Sequence, residues 1–174
     1  NNISGSSNVA VGNKALLNNN TTSNNIAVGN NALLANTASN NIAIGINALD
    51  ANLGGTPNIA IGNDALGTNT TASSNIAIGV NSLNANNGSS NLAIGHSSLL
   101  TNTSGTGNIA IGNNSLDTNS TGTNNIAIGN DALGGGTVAT CIAIGNNALL
   151  ANSTNNNIAI GFSALDANTT GSIN

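Results

Sequence analysis

Very few residues in this sequence of 174 could do chemistry. Its ionisable groups are one lysine, five aspartates and one histidine, and there is one cysteine. Side-chain catalysis needs a nucleophile beside a base, a pair of carboxylates, or a bound metal ion. His96 is the single candidate base and lacks such partners, so it is expected to be a surface turn residue. We predict that the chain is not an enzyme and uses no cofactor.

The five aspartates occupy two kinds of position. Asp64 and Asp131 follow a glycine in a predicted turn, whereas Asp50, Asp117 and Asp166 follow a leucine. We expect them to be too far apart to act as an acid/base pair. Calcium-binding β-rolls place an acidic residue in every turn, and here only about one aspartate occurs per two turns. The aspartates are therefore predicted to be isolated charges that limit edge-to-edge association.

Cys141 cannot form a disulfide within the chain, because it has no second cysteine to pair with. It stands where nine other copies of the repeat described below have an asparagine. Two interpretations stay open: a small residue that the fold tolerates, or a thiol that reacts or pairs with another chain.

A short repeat must position all of these residues. The tetrapeptide Ile-Ala-Ile-Gly or a near copy recurs ten times at spacings of 16 or 17 residues, with its glycines at Gly12, Gly29, Gly45, Gly62, Gly79, Gly95, Gly112, Gly129, Gly145 and Gly161. This period suits one turn of a β-solenoid. We predict an all-β, parallel β-roll of about ten rungs that forms one domain over residues 1–174. The pattern is cut at both ends, so we expect these rungs to belong to a longer or assembled rod.

Four columns of apolar residues run through the repeat: two aliphatic columns, an alanine column and a leucine column. The alternation of side chains along a strand places the two aliphatic residues on one face and the central alanine on the other. We predict that the aliphatic residues and the leucine after each glycine fill the core, for example Leu33, Leu66, Leu83, Leu116, Ile59, Ile61, Ile76 and Ile78. The alanine is kept in every copy, which predicts tight packing in a thin roll or against a neighbouring chain, at Ala27, Ala60, Ala77 and Ala110.

An asparagine occurs seven residues after the glycine in nine of the ten copies. Stacked asparagines can bond to the amides above and below them. The column therefore predicts a side-chain amide ladder through Asn36, Asn52, Asn69, Asn86, Asn102 and Asn119. Gly136 replaces the asparagine in the eighth copy.

Composition excludes several classes of partner. Charged residues make up 3% of the chain and the net charge is −4, so no basic patch is present for nucleic acid or anionic lipid. The sequence contains no run of about 18 apolar residues, so it predicts no membrane-spanning helix. Low charge and abundant asparagine also fit a disordered or aggregating tract, but the regular apolar columns argue against both.

The motif Asn-Ile-Ala-Ile-Gly-x-x-Ala, as in Asn58–Ala65 and Asn75–Leu83, resembles the head repeats of YadA-like trimeric autotransporter adhesins. Similar repeats occur in phage and virus fibre proteins. The resemblance implies a left-handed parallel β-roll, a trimer of such rolls, and a surface protein that binds host matrix or other cells. The repeats here are slightly longer than those head repeats, and we expect no stalk, neck or anchor within this repeat segment.

We therefore expect a non-enzymatic structural and adhesive segment of an extracellular fibre or of a cell or virion surface. Its predicted partners are itself, as a homotrimer or filament, and a host or cell-surface matrix. The alternative is an ice-binding solenoid, because Thr-x-Thr-like triplets would present regularly spaced hydroxyls on one face. The residues of that alternative are Thr68, Thr70, Thr101 and Thr103.

Overall fold

The computed structural model describes residues 3–173, which form a β-solenoid of ten parallel strands and about nine turns. Each strand pairs only with its neighbours in chain order, and equivalent residues lie opposite each other, as Ala43 and Ala60 do. The fold class predicted from the repeat is confirmed. The strands are β1 (Val9–Val11), β2 (Ile26–Val28), β3 (Ile42–Ile44), β4 (Asn58–Ile61), β5 (Asn75–Ile78), β6 (Leu92–Ile94), β7 (Ile109–Ile111), β8 (Ile126–Ile128), β9 (Ile142–Ile144) and β10 (Ile158–Ile160).

The strands face the core with their alanines and not with their isoleucines. Ala77 is fully buried, whereas Ile76 and Ile78 on either side of it each expose 36% of their surface. Ile59 and Ile61 are likewise only partly buried. The prediction that these four isoleucines belong to the core is wrong. The roll is too thin to enclose two large side chains per strand, so a methyl group fills the space.

The alanines and leucines form the core together. Each of the eight rungs from β2 to β9 contributes a strand alanine, a leucine from the return half, and a small residue before that leucine. The strand alanines at Ala27, Ala60, Ala77 and Ala110 and the leucines at Leu33, Leu66, Leu83 and Leu116 are fully buried. Of the two explanations offered for the alanine column, the thin roll is therefore the one that the structure supports.

The return half of each rung is a succession of turns and contains no strand. Its core leucines have φ between 49° and 55°, a left-handed conformation that bulky residues rarely adopt. The conformation directs the leucine N–H to the next rung, as from Leu33 to the carbonyl oxygen of Ala48 at 3.0 Å. Hydrogen bonds between rungs thus continue where the sheet ends.

The motif glycine makes the corner between the two halves. Gly79 has φ of +137°, and a Cβ atom there would lie well inside 3.0 Å of the carbonyl of Gly95 in the next rung. Both the backbone conformation and the close stacking of rungs therefore require glycine. The same geometry recurs from Gly12 to Gly145.

The post-leucine asparagines, Asn36 to Asn119, lie fully buried in the core. Asn52 donates to Asn36 at 2.9 Å and Asn102 donates to Asn86 at 2.7 Å. The ladder extends down to Asn19 at one end. It does not reach Asn119, which donates to the carbonyl of Gly122 and leaves Asn102 Oδ1 without a partner.

A second buried amide column, the pre-strand asparagines, was not predicted. It comprises the asparagine two residues before the strand alanine in seven successive rungs: Asn25, Asn41, Asn58, Asn75, Asn91, Asn108 and Asn125. Each Oδ1 accepts the backbone N–H of the equivalent residue in the next rung, as from Asn41 to Asn25 at 2.9 Å. Most Nδ2 groups bond the loop carbonyls, as Asn58 does with Ala72. These amides hold the corner at which the strand begins.

Candidate functional surfaces

The outward side chains of the ten strands form one continuous apolar surface, which we call the strand face. It consists of two parallel columns, the residue before and the residue after each strand alanine: Val9, Ile26, Ile42, Ile59, Ile76, Leu92, Ile109, Ile126, Ile142 and Ile158 in the first, and Val11, Val28, Ile44, Ile61, Ile78, Ile94, Ile111, Ile128, Ile144 and Ile160 in the second. Each is exposed or only partly buried. No charged or polar side chain interrupts either column.

The strand face is large for a surface of this kind. Rungs about 4.8 Å apart and strands of three residues give a strip about 45 Å long and about 10 Å wide. The largest apolar patch on a typical monomer covers about 300–600 Å² and is often a binding site. Because the ladder places equivalent residues opposite each other, the side chains repeat regularly along the length of the strip.

The two edges of the strand face differ. One edge is formed by the C-terminal ends of the strands, and we call it the C-terminal edge; the N-terminal edge is formed by the strand starts. At the C-terminal edge, the residue after the motif glycine is exposed and is apolar in some rungs, as at Ile46, Val80 and Phe162. At the N-terminal edge lies an apolar depression of about 260 Å³, which we call the Pro57 notch. It is lined by Pro57, Ile59, Ser74, Asn75 and Ile76, so it lies between the starts of β4 and β5.

The threonines of the ice-binding alternative lie on the return half and outside any strand. The hydroxyl of Thr68 donates to the carbonyl of Asn84 at 2.8 Å, and that of Thr101 donates to the carbonyl of Asp117 at 2.7 Å. Thr103 donates to the carbonyl of Ser120 in the next rung, whereas Thr70 donates to the side-chain oxygen Oδ1 of Asn87. The hydroxyl protons are thus used to connect rungs, which sequence reasoning missed.

Two pairs of aspartates come together across adjacent rungs. Burial is the main cause that raises the pKa of Asp50, and the negative charge of Asp64 raises it further. Asp117 has a raised pKa for the same two reasons, with Asp131 as its neighbour. The prediction that the aspartates are isolated charges is therefore wrong for these pairs, because residues five and two positions after successive glycines lie near each other on adjacent rungs.

His96 is exposed at the C-terminal edge, in the same column as Val80. Its backbone N–H donates to Asn113 Oδ1 at 3.1 Å, so the position belongs to a surface ladder. This places the histidine in a turn, as the sequence predicted. Among residues 3–173, no three His, Cys, Asp or Glu side chains are placed to hold a metal ion.

Cys141 is fully buried in the column of pre-strand asparagines. Its N–H keeps the column bond to Asn125 Oδ1 at 3.0 Å. Buried Val138 stands where most other rungs have alanine or glycine, so the replacement of one amide by Cys141 is accompanied by a larger apolar side chain nearby in sequence. Since Gly136 also interrupts the post-leucine column, both amide columns are broken in this rung. The burial favours the interpretation of Cys141 as a residue that the fold tolerates.

Comparison of the chain with protein-family models, curated proteins and solved structures finds no match. Within the described residues, no helix is long and apolar enough to cross a membrane. The surfaces themselves are therefore the basis for a functional proposal.

Proposed function

We propose that this chain is a non-enzymatic structural segment of an extracellular fibre or surface adhesin, and that it associates with copies of itself through the strand face. The observation that carries the proposal is the exposure of two unbroken apolar columns on ten successive rungs. Leaving so many aliphatic side chains in water is unfavourable, at about 25 cal/mol for each Å². A partner surface that covers them removes this cost.

A second copy is the partner that fits best. Its strand face has the same rung spacing, so side chains of one copy can interdigitate with those of the other from rung to rung. Two strips of this size would bury about 900 Å² together before the edges are counted, near the roughly 1,000 Å² expected of a specific interface. No charge on either face opposes the contact.

The adhesive role rests on the motif resemblance and on the faces that stay outside such an assembly. The return halves carry repeated hydroxyl and amide groups on successive rungs. A ligand that meets many identical rungs gains from avidity more than from any single site. A host or cell-surface matrix is the class of partner that this arrangement suits.

Charge placed on the strand face tests the proposal. In Ile76→Lys/Ile109→Lys, two ammonium groups would have to be buried in the interface, whereas the side chains point away from the core of the monomer. The matched control, Thr71→Lys/Thr121→Lys, adds the same charge at exposed loop positions of the return half. Sedimentation velocity should show oligomers for the wild type and the control, and folded monomers for the isoleucine variant. A wild-type monomer at high concentration would contradict the proposal.

A further inference from the structure

The Pro57 notch and Val80 lie at the same position along the solenoid axis, on opposite edges of the strand face. Ile76, near the start of β5, forms one wall of the notch, and Val80 follows Gly79, the corner glycine after the same strand. Val80 is exposed and apolar, whereas the equivalent residue of the preceding rung, Asn63, is polar. Val80 is thus an apolar side chain that could fill the notch, but within one molecule it lies on the opposite edge of the strand face.

Association through the strand face brings these two edges together. If two copies face each other with parallel solenoid axes, their strands run in opposite directions across the interface. The C-terminal edge of one copy then lies against the N-terminal edge of the other. When the rungs are also in register, Val80 of each copy is opposite the Pro57 notch of its neighbour.

We infer that Val80 of one copy seats in the Pro57 notch of a second copy and so fixes a parallel, in-register association. The inference rests on the proposed function, because it concerns the geometry of that same interface. A cavity of about 150 Å³ holds a benzene molecule, so a depression of about 260 Å³ has room for a valine side chain. The lining is largely aliphatic, which matches the isopropyl group.

The notch selects one register between the rungs of two associated copies, which the repeat alone does not do. Ten nearly identical rungs can slide past each other by one rung and restore most apolar contacts, as polar two-sided strands slip in sheets. Pro57 is the single proline of the chain, and the notch beside it marks one height. A staggered alternative would put Phe162 of one copy, which is 78% exposed, into the notch of another.

Cysteine cross-linking distinguishes these arrangements. Ser74 lines the notch and is exposed, so in Ser74→Cys/Val80→Cys the two thiols of neighbouring copies come within disulfide reach, about 7 Å between Cα atoms, only in the parallel, in-register assembly. Ser74→Cys/Phe162→Cys reports the staggered assembly. Val80→Cys alone reports an assembly with antiparallel axes, in which C-terminal edges meet each other. The wild type is the control, since its own thiol at Cys141 is buried.

The expected result is reducible covalent oligomers for Ser74→Cys/Val80→Cys and none for the other two variants. Covalent oligomers of either other variant instead, or no cross-link in a Ser74→Cys/Val80→Cys sample that sediments as an oligomer, would overturn the inference while leaving self-association intact. A wild type that stays monomeric would remove the proposed function itself. As a second readout, Val80→Asn should weaken association about tenfold, the equivalent of losing one buried side chain, whereas Asn63→Ala should change it less than twofold.

Discussion

Ala77 and Ile78 are consecutive residues of β5 and have opposite environments: the alanine is fully buried and the isoleucine faces outward. The smaller side chain thus fills the interior and the larger one forms the surface. This inversion determines both how thin the roll is and how apolar its outer face becomes. The stability of the fold and its association therefore depend on different residues of the same strand.

Enlarging the inner residue should damage the fold, whereas reshaping the outer one should not. Ala77→Leu forces extra methylene groups into a closed core, which typically costs about 1–3 kcal/mol. Ile78→Leu keeps the volume and changes an exposed position, so less than about 0.5 kcal/mol is expected. Urea denaturation at concentrations where the chain is monomeric measures both. Equal losses for the two variants would contradict the assignment of faces.

Removing an amide from the core should cost more than removing one from the surface. Asn69 donates to the carbonyl of Ala72 at 3.1 Å and accepts from Asn86 at 3.4 Å. Asn69→Ala leaves these buried groups without a partner, at a cost of about 1–3 kcal/mol. The control is Asn30→Ala at an exposed turn position, for which less than about 0.5 kcal/mol is expected. The comparison uses the free energies of unfolding of the two variants.

Acidification should stabilise the monomer through Asp50 and Asp117, because both have pKa values raised by burial and by a neighbouring aspartate. A carboxyl whose pKa is higher in the folded state binds protons more tightly there than in the unfolded chain. Its ionised form therefore destabilises the fold at neutral pH, and this penalty disappears as the pH falls through the raised pKa towards about 4, the ordinary value of an aspartate.

The melting temperature should accordingly rise as the pH is lowered from 7 towards 4. In Asp50→Asn/Asp117→Asn the penalty is already absent, so this variant should melt higher than the wild type at pH 7 and gain little on acidification. Asp166→Asn removes one aspartate of the same column outside these pairs and is the control for the loss of a charge elsewhere on the chain. A wild type that loses stability steadily over this range would rule out the raised pKa values as the dominant effect.

The periodicity alone predicts the architecture. Ten glycines spaced by 16 or 17 residues require one rung for each copy, and the parallel register of the strands follows directly. The leucine and alanine columns were also identifiable, because a thin core accepts one size at each inner position. Leu33 and Ala27 occupy such positions, and both are fully buried.

The direction in which the strands face was not deduced correctly, although the sequence contained a signal. Alternation separates Ile26 from Ala27 but does not say which one is inside. The outer columns vary between isoleucine, valine and leucine, as at Val28 and Leu92, whereas the alanine never varies. In addition, Asn25 has the same parity as Ala27, and an asparagine that must stack in every rung is more readily satisfied in the interior.

The aspartate pairs and the Pro57 notch were missed for a different reason. Each column taken by itself gives no sign of them, because these features join neighbouring columns of successive rungs. Asp50 and Asp64 are 14 residues apart in sequence, and they meet because one rung step places one near the other. The notch depends on the packing of Pro57 beside Ile76, which no pattern of residue types encodes.

The most direct test of the central claim is the accessibility of the isoleucine methyl groups in the assembled protein. Methyl NMR with a soluble paramagnetic probe should show Ile78 and Ile111 protected in the wild type and exposed in the monomeric Ile76→Lys/Ile109→Lys variant. Ile46, at the rim of the face, should show partial protection. Strand-face methyl groups that stay fully accessible in a wild-type sample of confirmed oligomeric mass would contradict association through this surface.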